Sequence, residues 1–295
     1  MNIKQIKNSD DAVVGIVVAI LLIGLLLAVI SIVQTVFVPN WMEQIEADHM
    51  DEVSSQFGQL KFAIDIQSIL NINDVPMSVP ITLGSNDLPI MTSAKGYGLI
   101  EIKENEISVD IVNESDVYPE PFYLGVIKYS SSNTYYLNQD YIYESGSLIK
   151  SQHEGNIMYV NPIFTPMTHN STTTYLNFTL INITGVGNKL AASGFGNFPI
   201  QVEFSESVDY SFENVSFINI TSPYYESWYM FINSTLINLD EDFNPLVWNQ
   251  DFILTLPDYH GVDNMVSLEI LDHTVDLFVK KIEINAQVAP GWIGN

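Results

Sequence analysis

The 295-residue chain sets ten basic residues against thirty-five acidic ones, for a formal net charge of −25, and contains no cysteine. All ten basic residues are lysine, too few to neutralise a phosphate backbone, so nucleic acid is excluded as a partner. Without cysteine there is no disulfide, no zinc–thiolate centre and no thiol nucleophile.

Residues 1–11 form a short leader or cytoplasmic segment containing Lys4 and Lys7. From Ala12 to Val33 no residue is charged, and continuing to Val38 gives an apolar run of 27 residues. A helix needs about 20 residues to cross the hydrocarbon of a bilayer, so residues 12–38 are predicted to span it and to contact lipid. A cleaved secretory signal would have a shorter apolar part and a small-residue site. Here the run ends in Val36-Phe37-Val38-Pro39-Asn40-Trp41. Lysines precede the run, and Glu43, Glu46, Asp48, Asp51 and Glu52 follow it. The positive-inside tendency therefore keeps the N-terminus cytoplasmic and places the remainder outside the cell, as a single-pass protein of the cell membrane. Trp41 falls where an interfacial aromatic anchor belongs.

Residues 39–72 read as an amphipathic stalk helix, with Pro39 in its first turn or at a kink. Met50, Val53, Phe57, Leu60 and Ile64 follow a 3-4-3-4 spacing, which leaves two destinations open. The stripe packs on the chain's own β domain, or on neighbouring copies of the chain. Gly15 and Gly24 are the positions in the apolar helix where close helix packing would be felt.

After Asn73 the period changes to two, predicting an extracytoplasmic β-rich domain over 73–295. Ile100 and Ile102, then Ile107, Val109 and Ile111, alternate with polar residues about Glu104-Asn105, the pattern of a hairpin. Leu176, Phe178 and Leu180 alternate until the phase slips at Ile181 and Ile183, which suggests a bulge or a strand passing between sheets. Ser222 and Pro223 can open a short helix near 223–235 that carries Tyr225, Trp228 and Ile232 on one face. The last strand is expected from about Val275 to Asn285. The expected fold is α+β: a long N-terminal transmembrane and stalk helix, then many short strands in a mostly antiparallel, β-sandwich-like domain.

Motifs for chemistry are sparse. His49, His153, His169, His260 and His273 have no ligand spacing, and His49 reads as a surface or packing residue. Gly185-Val186-Gly187 reads as a turn, because Leu190 occupies the third glycine position of a dinucleotide fingerprint. Asp240-Glu241-Asp242 with Asn244 could hold Ca²⁺ through oxygen ligands, although a solvated loop fits the pattern better; no cofactor is otherwise indicated. Tyr224, Tyr225, Trp228, Tyr229 and Phe231 could offer a sugar-stacking face, but large aromatics more often close a core. Seven N-x-[ST] sequons, at Asn113, Asn170, Asn177, Asn182, Asn214, Asn219 and Asn233, are about twice the random expectation and mark a glycoprotein surface.

Asp11-Ala12-Val13-Val14-Gly15-Ile16 is similar to the leader-to-helix junction of archaeal type IV pilin-like proteins, which include pilins and archaellins. The stretch from Met50 to Asp65 resembles the stalks of large members of that group. The resemblance implies cleavage on the cytoplasmic side before the apolar helix, and assembly by packing those helices into a filament core. The common Ser-Pro pair at the helix start is absent, and Asp10-Asp11 stands where many relatives carry small or basic residues. The expectation is thus a non-enzymatic pilin-like surface protein with a structural or adhesive role, whose partners are lipid and copies of itself or other pilin-like subunits. The alternatives are a monomeric tethered binding module and a membrane-anchored envelope hydrolase.

Overall fold

A computed structural model describes residues 4–86, 88, 94–113, 120–153, 155–168, 173–237, 251–256, 264–271 and 274–288. The N-terminal part of the architecture is one unbroken helical rod. Helix α1 (Lys4–Ile32) passes through a π-helical turn (Val33–Phe37) into helix α2 (Val38–Leu70). The π turn has a local cause. Pro39 has no N–H to give the carbonyl one turn earlier, and its ring crowds that carbonyl. The backbone widens just before it, with the N–H of Val38 reaching back to Val33 O, and the rod continues without a break. It ends at Asn71, which adopts the left-handed conformation (φ 50°) that suits a helix C-terminus.

Among the described residues the β domain has fourteen strands: β1 (Met77–Thr82), β2 (Tyr97–Asn113), β3 (Phe122–Ser132), β4 (Asp140–Glu144), β5 (Ser147–Gln152), β6 (Gly155–Val160), β7 (Phe164–Thr168), β8 (Thr173–Gly185), β9 (Ala191–Gly194), β10 (Asn197–Phe212), β11 (Val215–Thr221), β12 (Phe252–Thr255), β13 (Met265–Ile270) and β14 (Thr274–Val288). Helix α3 (Tyr225–Ile237) interrupts them. One sheet runs β1-β10-β14-β8-β7; the other runs β12-β13-β11-β2-β3-β4-β5-β6, with β9 also on β2. All pairs are antiparallel except β14 with β8. The chain is therefore α+β, a long apolar N-terminal helix followed by a largely antiparallel β domain.

Two hydrophobic cores lie end to end along the long strands. The first is built from Ile107, Val109, Leu124, Leu176, Phe178, Leu277 and Val279 and is capped by α3 through Trp228, Phe231 and Ile232. The second takes Ile100, Ile102, Tyr129, Ile181, Ile183, Ile282 and Ile284 and is closed by the apolar face of α2. The β4–β5 hairpin stands between them. Ile142 and Ile149 point into the first core while Tyr143 and Leu148 point into the second.

This arrangement corrects three expectations. The hairpin expected about Glu104-Asn105 is absent. Residues 97–113 form one 17-residue strand, and both of its halves pair with β3. The register shifts between Lys103 and Ile107, and Asn105 (φ 54°) absorbs the extra residues as a bulge. The phase slip at Ile181 is no bulge either, because β8 pairs with β14 without interruption from Thr173 to Gly185. Both strands bury one face in the first core and the opposite face in the second, so the sequence phase records a change of core. Strand length differs as well, since β2, β8, β10 and β14 each have 13 to 17 residues rather than being short.

Candidate functional site

The side chains of α1 from Val13 to Ile32 have no protein around them, and this helix is long and apolar enough to cross a membrane. Gly15 and Gly24 lie on it with nothing within 4 Å of an added Cβ, so neither is needed for packing within the chain. Trp41 stands beyond the π turn, 45 % exposed, with its ring centroid 5.8 Å from that of Phe37.

From Val38 onward one face of the rod is covered. Val38 and Met42 are buried, and Met50, Val53, Phe57, Leu60 and Ile64 are sealed in the second core against the chain's own sheets. Of the two destinations the stripe left open, the structure shows this one, and it leaves none of these five residues to face another copy.

Polar side chains on the same face fix the seating of α2. The carboxylate of Glu46 accepts the backbone N–H groups of Thr134 (3.0 Å), Tyr135 (2.7 Å) and Tyr136 (2.7 Å) in the loop between β3 and β4. Gln56 accepts the N–H of Thr82 at 2.9 Å and donates to its hydroxyl at 2.9 Å, holding the end of β1. Gln67 donates to Val75 O and accepts the N–H of Phe204 at 3.4 Å. His49, expected as a surface or packing residue, is buried, with its Nε2 3.0 Å from Thr82 O; burial pushes its pKa below the usual range. All but the Gln56–Thr82 hydroxyl contact tie the rod to backbone rather than to a movable side chain. The signal for this set was in the sequence, because Glu46, Gln56 and Gln67 fall on the same 3-4 spacing as the apolar stripe.

A second polar centre lies between the two cores. Glu144 ends β4, ahead of a two-residue turn whose Ser145 (φ 47°) and Gly146 (φ 82°) have the left-handed geometry of a tight hairpin. The hairpin is buried on both faces, and this carries the Glu144 carboxyl inside. Its Oε1 accepts from Ser222 Oγ at 2.7 Å and from the indole N–H of Trp228 at 2.6 Å. Burial dominates and raises its pKa to about 7, against the lowering effect of these two bonds. Ser222 Oγ also accepts the N–H of Tyr224 at 3.0 Å, so the residue expected to start the helix also binds the carboxyl. Glu144 is sealed from solvent and acts as a structural tie between β4 and α3. Nothing in the local sequence singled it out.

The remaining candidates are dispersed. Trp228, Tyr224 and Phe231 are buried, and Tyr225 and Tyr229 pack against the same core, so this aromatic group closes a core end and offers no stacking face. Gly187 (φ 71°) sits in the turn after β8. Asn214 is exposed in the tight turn between β10 and β11. Asn182 is committed internally, its Oδ1 accepting from Gly125 N at 2.7 Å and its Nδ2 donating to Glu283 at 2.6 Å. Asn219 accepts from Ser267 Oγ at 2.7 Å, Asn113 has a buried Oδ1, and Asn177 and Asn233 are half-buried. Asn170, Asp240-Glu241-Asp242, Asn244, His169, His260 and His273 lie outside the described residues. Among the described residues no group of three His, Asp or Glu side chains is placed to hold a metal ion.

No protein-family model matches the chain, and no curated protein or solved structure matches it either.

Proposed function

We propose that the chain is an exported surface protein of type IV pilin-like design, anchored by α1 and carrying its β domain outside the cell in a structural or adhesive role. The observation that supports this reading is the unbroken helical rod. A segment apolar on all sides continues, without a flexible joint, into a helix whose own face is a wall of the β domain. Such a connection fixes the orientation of the domain relative to the anchor, which a simple tether would not require.

The chain has no cysteine, so single cysteines report topology without background. In intact cells a membrane-impermeant maleimide should label Asn214→Cys; labelling that requires permeabilised cells would overturn the orientation. Filament assembly is tested separately. Gly15→Leu and Gly24→Leu should abolish filaments while leaving membrane insertion intact, and the mature N-terminus should begin near residues 10–13 by mass spectrometry.

A monomeric tethered module is the second reading. It is favoured by the complete burial of the α2 stripe, which leaves assembly to α1 alone.

A further inference from the structure

The geometry points to the membrane-proximal rim of the β domain, formed by Leu137, Phe195 and Tyr97, as a second membrane contact seated in the headgroup layer. This inference rests on α1 spanning a bilayer.

The rim is built and held rigidly. Glu46 lies eight residues beyond Val38, about 12 Å along the helix axis, and its carboxylate pins the amides of Thr134, Tyr135 and Tyr136. In the same loop Asn133 donates its N–H to Asn138 Oδ1 at 2.7 Å and its Nδ2–H to Leu137 O at 2.9 Å. The loop tip is thereby closed on itself with Leu137 63 % exposed. Gly96 lies at the same level, since a Cβ there would stand 2.7 Å from Asn133 Oδ1 and 3.4 Å from Glu46 Oε1. Next to it Tyr97 is 49 % exposed and meets Phe195 edge-on at 6.3 Å; Phe195 is 50 % exposed and has Lys95 Nζ 4.4 Å from its ring centre. Exposed aromatics and a leucine at one level, with a lysine over one of the rings, are the residue types that settle at a bilayer interface.

Helix length allows the rim to reach that interface. The 27-residue apolar run is about 40 Å long against about 30 Å of hydrocarbon, an excess that tilt of up to about 40° takes up. Upright, Glu46 would stand about 30 Å from the midplane, clear of headgroups that end near 20–22 Å. Tilted by about 40° toward the loop, it stands near 24 Å, and a loop packed about 10 Å to the side of the axis descends to roughly 17 Å.

Charge chooses the direction of tilt. The face of α2 turned away from the domain exposes Glu43, Asp48 and Asp51, which an interface would have to desolvate. The rim offers apolar tips and Lys95 instead.

The test uses the full chain in phosphatidylcholine vesicles with an environment-sensitive fluorophore at one introduced cysteine: Leu137→Cys, Phe195→Cys, Leu26→Cys in the span or Asn214→Cys far from it. All four positions are exposed, and matching thermal melts verify folding. Spin-labelled lipids serve as quenchers. Headgroup-labelled lipid should quench the Leu137 and Phe195 probes at least about twofold more than the Asn214 probe, and chain-labelled lipid should quench Leu26. Quenching at Leu26 with probes at 137 and 195 behaving like 214 overturns the rim contact while the span stands. An unquenched Leu26 probe overturns the span and the rim together. Blue-shifted probes at 137 and 195 that neither lipid quenches would show the rim covered by another copy of the chain, which also overturns the inference.

Discussion

Substitution of Glu144 by glutamine isolates the energetic cost of one buried carboxyl. The wild-type group titrates near 7 in the folded state against 4.5 for the ordinary side chain. Its folded pKa is raised, so between those values the folded protein holds a proton that the unfolded chain has released. The sign follows directly: stability falls as pH rises from about 4.5 to 7 and is level above that range. Between pH 5 and pH 8 the loss integrates to about 2 to 3 kcal/mol. Glu144→Gln keeps an oxygen acceptor for Ser222 and Trp228 and removes the titration. The melting temperature of wild type should therefore fall by roughly 5–10 °C relative to Glu144→Gln as pH goes from 5 to 8. Melts of the detergent-solubilised full chain, followed by circular dichroism at half-unit pH steps, measure the difference, and other titrating groups cancel between the two proteins. Parallel melting curves across that range would refute the claim that burial raises the pKa of Glu144.

Four further substitutions probe the packing. Gly125→Ala would put a Cβ 2.1 Å from Ile183 O and 2.9 Å from Lys103 O, both backbone, so a loss of about 3 kcal/mol or more is expected in denaturant titrations. Glu46→Ala removes an acceptor shared by three amides and should cost about 2–4 kcal/mol, with faster hydrogen exchange confined to Thr134, Tyr135 and Tyr136. Asn182→Ala should lower stability by about 2 kcal/mol, because Gly125 N loses its acceptor and Glu283 loses one of its donors while keeping Lys281, whereas Asn214→Ala should change it by less than about 1 kcal/mol. Comparing the two by thermal melt separates an internal asparagine from a surface one.

The parts of the fold legible in sequence are those governed by one local period. The apolar run, the stripe from Met50 to Ile64 and the Ser222-Pro223 helix start each carry their cause within a few residues. What escaped is set by distant packing. Glu104-Asn105 has turn chemistry, yet β3 continues alongside both halves of β2, and the pairing outweighs the local signal. The break at Leu180-Ile181 is visible in sequence, but its meaning needs the second core, which comes from α2 more than a hundred residues earlier. Buried carboxyls are the hardest to foresee. Glu46 falls on the spacing of the stripe, but the amides it meets lie 88 to 90 residues away; Glu144 is stabilised by an indole 84 residues away, and nothing adjacent announces it.

The order of strands in the smaller sheet bears on how the domain comes together. β14 follows every other strand in the chain, yet it lies at the sheet centre, with β10 on one side and parallel β8 on the other. Until it arrives, β8 and β10 have open inner edges and neither core has its full wall. A polypeptide emerging from its N-terminus thus keeps both halves unjoined until the last strand is delivered, and then closes through contacts of long sequence separation, a slow class of folding. Truncation of 274–288 would therefore remove the central strand of this sheet and part of the wall of both cores together.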